Sequence, residues 1–236
     1  MIIKKPYFLE KITKLTPDVT SFEFKAQDSL QVDFTPGMFA MLTYKDNNTK
    51  EEITRAYSIA NAPPADYFEF FISMVGGKLT SKLAEARVGD IYYISAPYGQ
   101  FKFEYGEDKK YLFLAGGTGI APFFSMLRYA KSKNKKIDIK MIYSVKYPYD
   151  IINKSELDSF SNIGLEWHAT VTRYDNTMEW AGLKGHIDSG MIKNIVNDYN
   201  NREAYICGPP AFVDAMKKAL DELGVDKTKI KAEFWG

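Results

Sequence analysis

Apolar and polar positions alternate with period two through the first hundred residues and change period after that. Residues 19–25, 39–44, 67–73 and 91–95 each alternate and are rich in aromatic and β-branched side chains, the pattern of strands with one buried face. Pro36-Gly37, Pro63-Pro64 and Gly89-Asp90 punctuate them. The stretch from Tyr7 to Phe103 therefore reads as antiparallel strands of a barrel or sandwich, with one short helix over residues 80–86. After Gly106-Glu107-Asp108-Lys109-Lys110, strands predicted at 111–115, 137–144, 165–172, 204–207 and 230–234 alternate with helices at about 122–133, 155–160, 188–199 and 210–223. Such alternation implies a parallel sheet with helices on both faces, and a ligand crevice beyond the carboxyl ends of its strands. The last helix carries Phe212, Met216, Ala219, Leu220 and Leu223 at helical spacing, a core face. The change of period divides the chain into a β-barrel domain, 1–105, and an α/β domain, 106–236.

Composition narrows the function. The 236 residues give room for one large domain or two small ones, and 31 Lys and Arg against 30 Asp and Glu leave a net charge of +1. That balance provides no general attraction to nucleic acid or an anionic membrane, so neither is expected as a partner. The single cysteine, Cys207, excludes an internal disulfide and a cysteine-ligated iron–sulfur cluster within these residues, and fits a reducing compartment. No long apolar span occurs, and the opening Met1-Ile2-Ile3-Lys4-Lys5-Pro6 is unlike a signal sequence. The expectation is a soluble, cytoplasmic protein without a membrane span. Two histidines, His168 and His186, offer little for zinc or haem, so no metal is expected. The basic run 131–136 reads as a solvated helix end.

Chemistry first shows in Leu112-Phe113-Leu114-Ala115-Gly116-Gly117-Thr118-Gly119-Ile120-Ala121-Pro122, an apolar strand joined to a helix start through glycines. Glycines let the backbone turn tightly and approach a ligand, and a helix start presents free N–H groups and a positive dipole end to a diphosphate. Pro122 suits a first helical turn, although it stands where the dinucleotide fingerprint has its third glycine. Glycine-rich turns of this kind also occur with no ligand.

Three further segments stand far apart in the chain: Arg55-Ala56-Tyr57-Ser58, Gly77-Lys78-Leu79-Thr80 and Cys207-Gly208-Pro209-Pro210. They resemble the R-x-Y-S flavin motif, the G-x-x-S/T flavin-phosphate motif and the C-G-P-P nicotinamide motif. With the glycine turn between them, in the same order, they resemble the ferredoxin–NADP reductase superfamily from about Tyr7 to Trp235. The resemblance implies an FAD-binding barrel and an NAD(P)-binding α/β domain. It places Tyr57 flat on the flavin ring, the Ser58 hydroxyl at the ring edge where the hydride arrives, and Arg55 on the phosphates, with Ala56, Ile72 and Met74 among the flavin contacts. Gly77, Lys78, Leu79 and Thr80 would bind the flavin phosphates by main chain and hydroxyl, although a helix start with a threonine cap reads the same way. Tyr98-Gly99 resembles the family's element after the last barrel strand and is structural. Trp235, with Phe234 second, would cover the ring face; alternatively the two aromatics seal the last strand.

By the same resemblance Gly117, Thr118, Gly119 and Pro122 hold the nucleotide, with Thr118 between the two rings. Cys207, Gly208 and Pro209 flank the nicotinamide. Cys207 positions and is no nucleophile, since nothing near it in sequence supplies a base or cation; it also reads as a small buried hydrophobe. Lys146 and Arg173 fall where relatives grip the 2′-phosphate of NADP, and His186 falls near a third basic site. Lysine lacks the bidentate geometry of arginine, and Asp150 keeps NAD open. The implied function is an FAD enzyme that takes a hydride from NADPH (NADH also open) and passes single electrons to ferredoxin or flavodoxin, with Lys4, Lys5, Lys45 and Lys50 contributing to a basic docking patch. Two alternatives stand beside it: an NAD(P)H:flavin reductase with diffusible flavin, and an electron-transfer subunit of a larger complex.

Overall fold

A computed structural model describes residues 4–26, 30–46, 49–134, 136–175 and 177–234. The chain divides into two compact units, one running to Phe103 and including Ala121–Tyr129, the other holding Glu104–Ile120 and the residues from Ala130 onward.

The first unit is a six-stranded antiparallel barrel of β1 (Lys5–Lys14), β2 (Val19–Ala26), β3 (Phe39–Lys45), β4 (Glu52–Ser58), β5 (Tyr67–Ser73) and β6 (Ile91–Tyr98), ordered β4-β3-β6-β1-β2-β5. Helix α1 (Lys78–Ala84) lies between β5 and β6 in sequence, two residues ahead of its expected start. Inward positions form the core: Leu9, Phe22, Phe24, Leu42, Phe68, Phe70, Tyr92 and Ile94 are all essentially buried. Each such aromatic or aliphatic side chain contributes about 1.5–3 kcal/mol on leaving water.

Strand β5 departs from simple alternation. Phe68, Phe70 and Ile72 face the core, yet Glu69 and Phe71 on the opposite face are also buried. Helix α2 (Ala121–Ser132) covers that face: Phe124 meets Phe71 edge-on at 5.2 Å between ring centres, and Arg128 pairs with Glu69 while also donating to the carbonyl of Ala60 at 3.0 Å. The Ser125 hydroxyl donates to the carbonyl of Asn61 at 2.7 Å, and Asn61 in turn accepts from the Glu69 N–H.

The second unit is a parallel sheet of β7 (Lys110–Gly116), β8 (Asp138–Val145), β9 (Leu165–Val171), β10 (Leu183–Lys184), β11 (Glu203–Gly208) and β12 (Ile230–Phe234), ordered β10-β9-β8-β7-β11-β12. Helices α3 (Lys154–Ser159), α4 (Ser189–Ile195) and α5 (Pro210–Glu222) join its strands. Helix α4 is shorter than expected: Asp188 caps its start by accepting from the Met191 N–H, and Val196 already leaves helical geometry. On α5 Val213, Met216, Ala219 and Leu220 are buried, whereas Phe212 and Leu223 are only partly so. The first strand in sequence, β7, is central, with β8 on one side and β11 on the other. This reversal of strand order opens a crevice at the carboxyl ends of β7 and β11. At the amino ends, the buried guanidinium of Arg202 ties Asp138 (2.7 Å), Asp198 (2.6 Å) and the carbonyl of Tyr111 (3.2 Å) together.

Candidate functional site

Strand β4 is paired only with β3 in the ladder, with Leu42 opposite Arg55, Ala40 opposite Tyr57 and Phe39 opposite Ser58. Its other edge has no ladder partner among the described residues. Arg55 and Ala56 are exposed, and the Arg55 guanidinium donates only to the carbonyl of its neighbour Thr54 (2.8 Å) among the bonds described. Tyr57 packs on Phe70 at 6.0 Å, and burial pushes its phenol up to about 12, so it stays a neutral hydrogen-bonding platform. Ser58 is half-buried beside it.

The chain leaves β5 through half-buried Met74, exposed Val75 and the left-handed Gly76 (φ +76°). Gly77 starts α1 with no side-chain cap, so the first-turn N–H groups have no capping side chain, and the Thr80 hydroxyl donates back to the Gly77 carbonyl at 3.0 Å. Lys78 projects outward and pairs with Glu51 at 3.2 Å. Ile72 and Leu79 are each 1% exposed, so their side chains belong to the barrel core and only their main chain can meet a ligand. An exposed arginine, a half-buried tyrosine face and an uncapped glycine turn fit the ring and the phosphates of a flavin dinucleotide.

In the second unit the glycine turn follows β7. Gly117 has φ +55° with nothing within 4 Å of where a Cβ would stand, which leaves its backbone open to a diphosphate. At Gly119 the reverse holds: a Cβ would lie 2.6 Å from the carbonyl carbon of Cys207 and 2.7 Å from Gly208 Cα. The glycine turn and the Cys207–Gly208 turn therefore pack main chain to main chain at the crevice. Phe212, expected only as a core residue, lies across both turns, since a Cβ on Gly116 or Gly208 would meet its ring at 2.9 and 2.7 Å. Thr118 is half-buried, Pro122 is buried in the first turn of α2, and Pro209 immediately precedes α5.

Cys207 is fully buried and paired in register with Glu233 of β12. Burial, and after it the carboxylate beside it, pushes the thiol up, the setting of a structural rather than a nucleophilic cysteine. Burial likewise raises the Glu233 carboxyl to about 7. Nothing in the sequence signals the pairing of Glu233 with Cys207. Phe234 is 65% exposed, and Trp235 lies outside the described residues.

Lys146 and Arg173, both exposed, follow β8 and β9, and the Arg173 N–H donates to the Lys146 carbonyl at 2.9 Å. His186 is exposed just beyond β10. Asp150, the nearest carboxylate to Lys146 in sequence, accepts from the Tyr147 N–H at 3.0 Å and so caps its own turn. Of the lysines expected in a docking patch, Lys4 and Lys45 both bind Glu52, at 2.8 and 2.6 Å, and together hold its carboxyl down at about 2. Two lysines share this one carboxylate, so a net positive charge remains there.

The profile of the oxidoreductase FAD-binding domain matches residues 6–103, and that of the oxidoreductase NAD-binding domain matches residues 113–218. The glycine betaine monooxygenase reductase subunit of Chromohalobacter salexigens is 32% identical over 96% of this chain, which covers 62% of that relative's length. The FAD/NAD-binding domain of nitric oxide dioxygenase from Vibrio cholerae superposes with a TM-score of 0.88 at 20% identity, covering 98% of each chain. A ferredoxin NADP+ reductase from Neisseria gonorrhoeae, solved with bound FAD and NADP, superposes at 0.82 with 24% identity and covers 98% of each chain. No helix among the described residues is long and apolar enough to cross a membrane.

Proposed function

The chain belongs to the ferredoxin–NADP reductase superfamily of FAD- and NAD-binding oxidoreductases, and from that premise we propose that it oxidises NADPH and delivers the electrons one at a time to a small carrier protein. The packing of Gly119 on Cys207 and Gly208 carries this reading, because it joins the two nucleotide turns into one crevice at the switch point of the sheet.

FAD, when bound, supplies the step between two-electron hydride chemistry and one-electron transfer. The residues supply alignment and electrostatics. Arg55 offers a guanidinium fork to the phosphates, helped by the uncapped start of α1 and by the Thr80 hydroxyl once it leaves the Gly77 carbonyl. Tyr57 gives a flat apolar face, and Ser58 a hydroxyl donor at its edge. The protonated Cys207 thiol fills space beside the nicotinamide pocket without reacting. Glu233, with a carboxyl near 7, can hold or release a proton at Cys207's side. Lys146 and Arg173 favour a nucleotide bearing a 2′-phosphate, and the Asp150 carboxylate is already bound to the Tyr147 N–H.

Ferredoxin or flavodoxin is the proposed acceptor, in a cytoplasmic setting consistent with the free Cys207 thiol. A second reading, a reductase component serving an oxygenase, is favoured by the name of the glycine betaine monooxygenase relative, of which this chain covers 62%. Purified protein tests the flavin assignment. Bound FAD recovered in about one equivalent, and lost in Arg55→Ala with the fold intact, supports it; flavin that never copurifies turns the reading to a flavin reductase.

A further inference from the structure

We propose that Phe212 is a positioning residue: its ring stands where Gly116 and Gly208 have no side chains, and it forms the floor that sets how deep the nicotinamide end of a dinucleotide sits in the crevice. This inference rests on the reading that the second unit binds such a nucleotide.

Alternate residues of a strand face one side of a sheet, so Leu112, Leu114 and Gly116 form a column on β7, and Ala204, Ile206 and Gly208 form one on β11. The columns are neighbours, with Ala204 opposite Leu112 and Ile206 opposite Leu114. Their four side chains join Val213, Met216 and Leu220 of α5 in one buried core. At the carboxyl ends, where the next two side chains would stand, both columns end in glycine.

Backbone conformation does not demand glycine at either place, since neither residue has a positive φ. Space does. At Gly116 the three atoms nearest an added Cβ all belong to the Phe212 ring, at 2.9, 3.0 and 3.1 Å; at Gly208 the nearest is again a ring carbon, at 2.7 Å. One ring fills the places of two side chains across the ends of both central strands. Phe212 is only half-buried, whereas Val213 and Met216 behind it are 1% exposed. The core therefore ends in an accessible aromatic surface at the end of the sheet where the crevice opens. Seated on two glycines, the ring is held at a fixed height, and a reacting group displaced by about 1 Å can lose on the order of 100-fold in rate.

The test uses the full-length flavin-loaded protein with Phe212→Ala, which removes the floor, and Phe212→Leu, which refills most of it. Flavin reduction at saturating NADPH should slow by roughly tenfold or more in Phe212→Ala and recover to within about threefold of wild type in Phe212→Leu. Affinity for ADP-ribose 2′-phosphate, the same nucleotide without its nicotinamide, should stay within about twofold of wild type by calorimetry, because the floor acts on the missing half. Gly116→Ala keeps the ring but pushes it aside, so it should slow reduction without opening a cavity. Adding it to Phe212→Ala should cost little more, because the atoms its Cβ would meet are gone. Four results overturn the floor: reduction in both Phe212→Ala and Gly116→Ala as fast as in wild type, Phe212→Leu as slow as Phe212→Ala, additive losses in the double variant, or a parallel loss of ADP-ribose 2′-phosphate affinity, which reports collapse of the whole crevice. Wild-type protein that binds neither NADP+ nor NAD+ overturns the site reading itself, and this inference with it.

Discussion

Gly119 packs against the main chain of Cys207 so closely that a Cβ would stand 2.6 Å from its carbonyl carbon. Backbone cannot yield as a flexible side chain can, so Gly119→Ala must push the two nucleotide turns apart. Overpacking of this kind costs about 1–3 kcal/mol. The expected result is a variant that keeps its flavin but shows a KM for NADPH raised at least tenfold, read from steady-state kinetics with an artificial acceptor.

The two cations after β8 and β9 predict cofactor choice. Lys146→Ala and Arg173→Ala should each raise the KM for NADPH by roughly 10- to 100-fold, the worth of a charge-assisted hydrogen bond, and leave that for NADH within a factor of two. Raising salt should narrow the gap. Equal losses for both nucleotides would remove the 2′-phosphate assignment.

Glu233 predicts a pH dependence. Its folded carboxyl titrates near 7 against an ordinary 4.5, so the folded state holds the proton more tightly. Stability therefore falls as pH rises from about 4.5 to about 7 and is level above that, by up to about 3.5 kcal/mol at about 1.4 kcal/mol per unit. Urea midpoints of Glu233→Gln should lack this slope, so the variant gains on wild type across that interval.

Arg128 and Glu69 anchor α2 to β5 with side chains 20% and 10% exposed. Removing one partner strands the other, at about 3 kcal/mol. Arg128→Met should show that loss in chemical unfolding, and the double variant Arg128→Met/Glu69→Gln should recover part of it.

Much of this fold is legible in the chain because its signals are local. The alternation of residues 19–25 and 91–95 appears as β2 and β6, and the turn from Leu114 to Ala121 could be read without knowing its partner. The rest depends on partners distant in sequence. Glu69 looks like the polar face of a strand until α2 covers it. Tyr143 reads as one more apolar strand residue, and its hydroxyl acquires a partner only when the Gly117 carbonyl meets it. Lys4 and Lys45 look like free cations until Glu52 lies between them. Strand β10, two residues long, offers no period at all.

The most direct test of the central claim is the visible absorption of the purified protein under anaerobic conditions, before and after one equivalent of NADPH, with NADH alongside. The account predicts a bound flavin band that NADPH bleaches faster than NADH. A protein whose flavin neither nucleotide bleaches would contradict it.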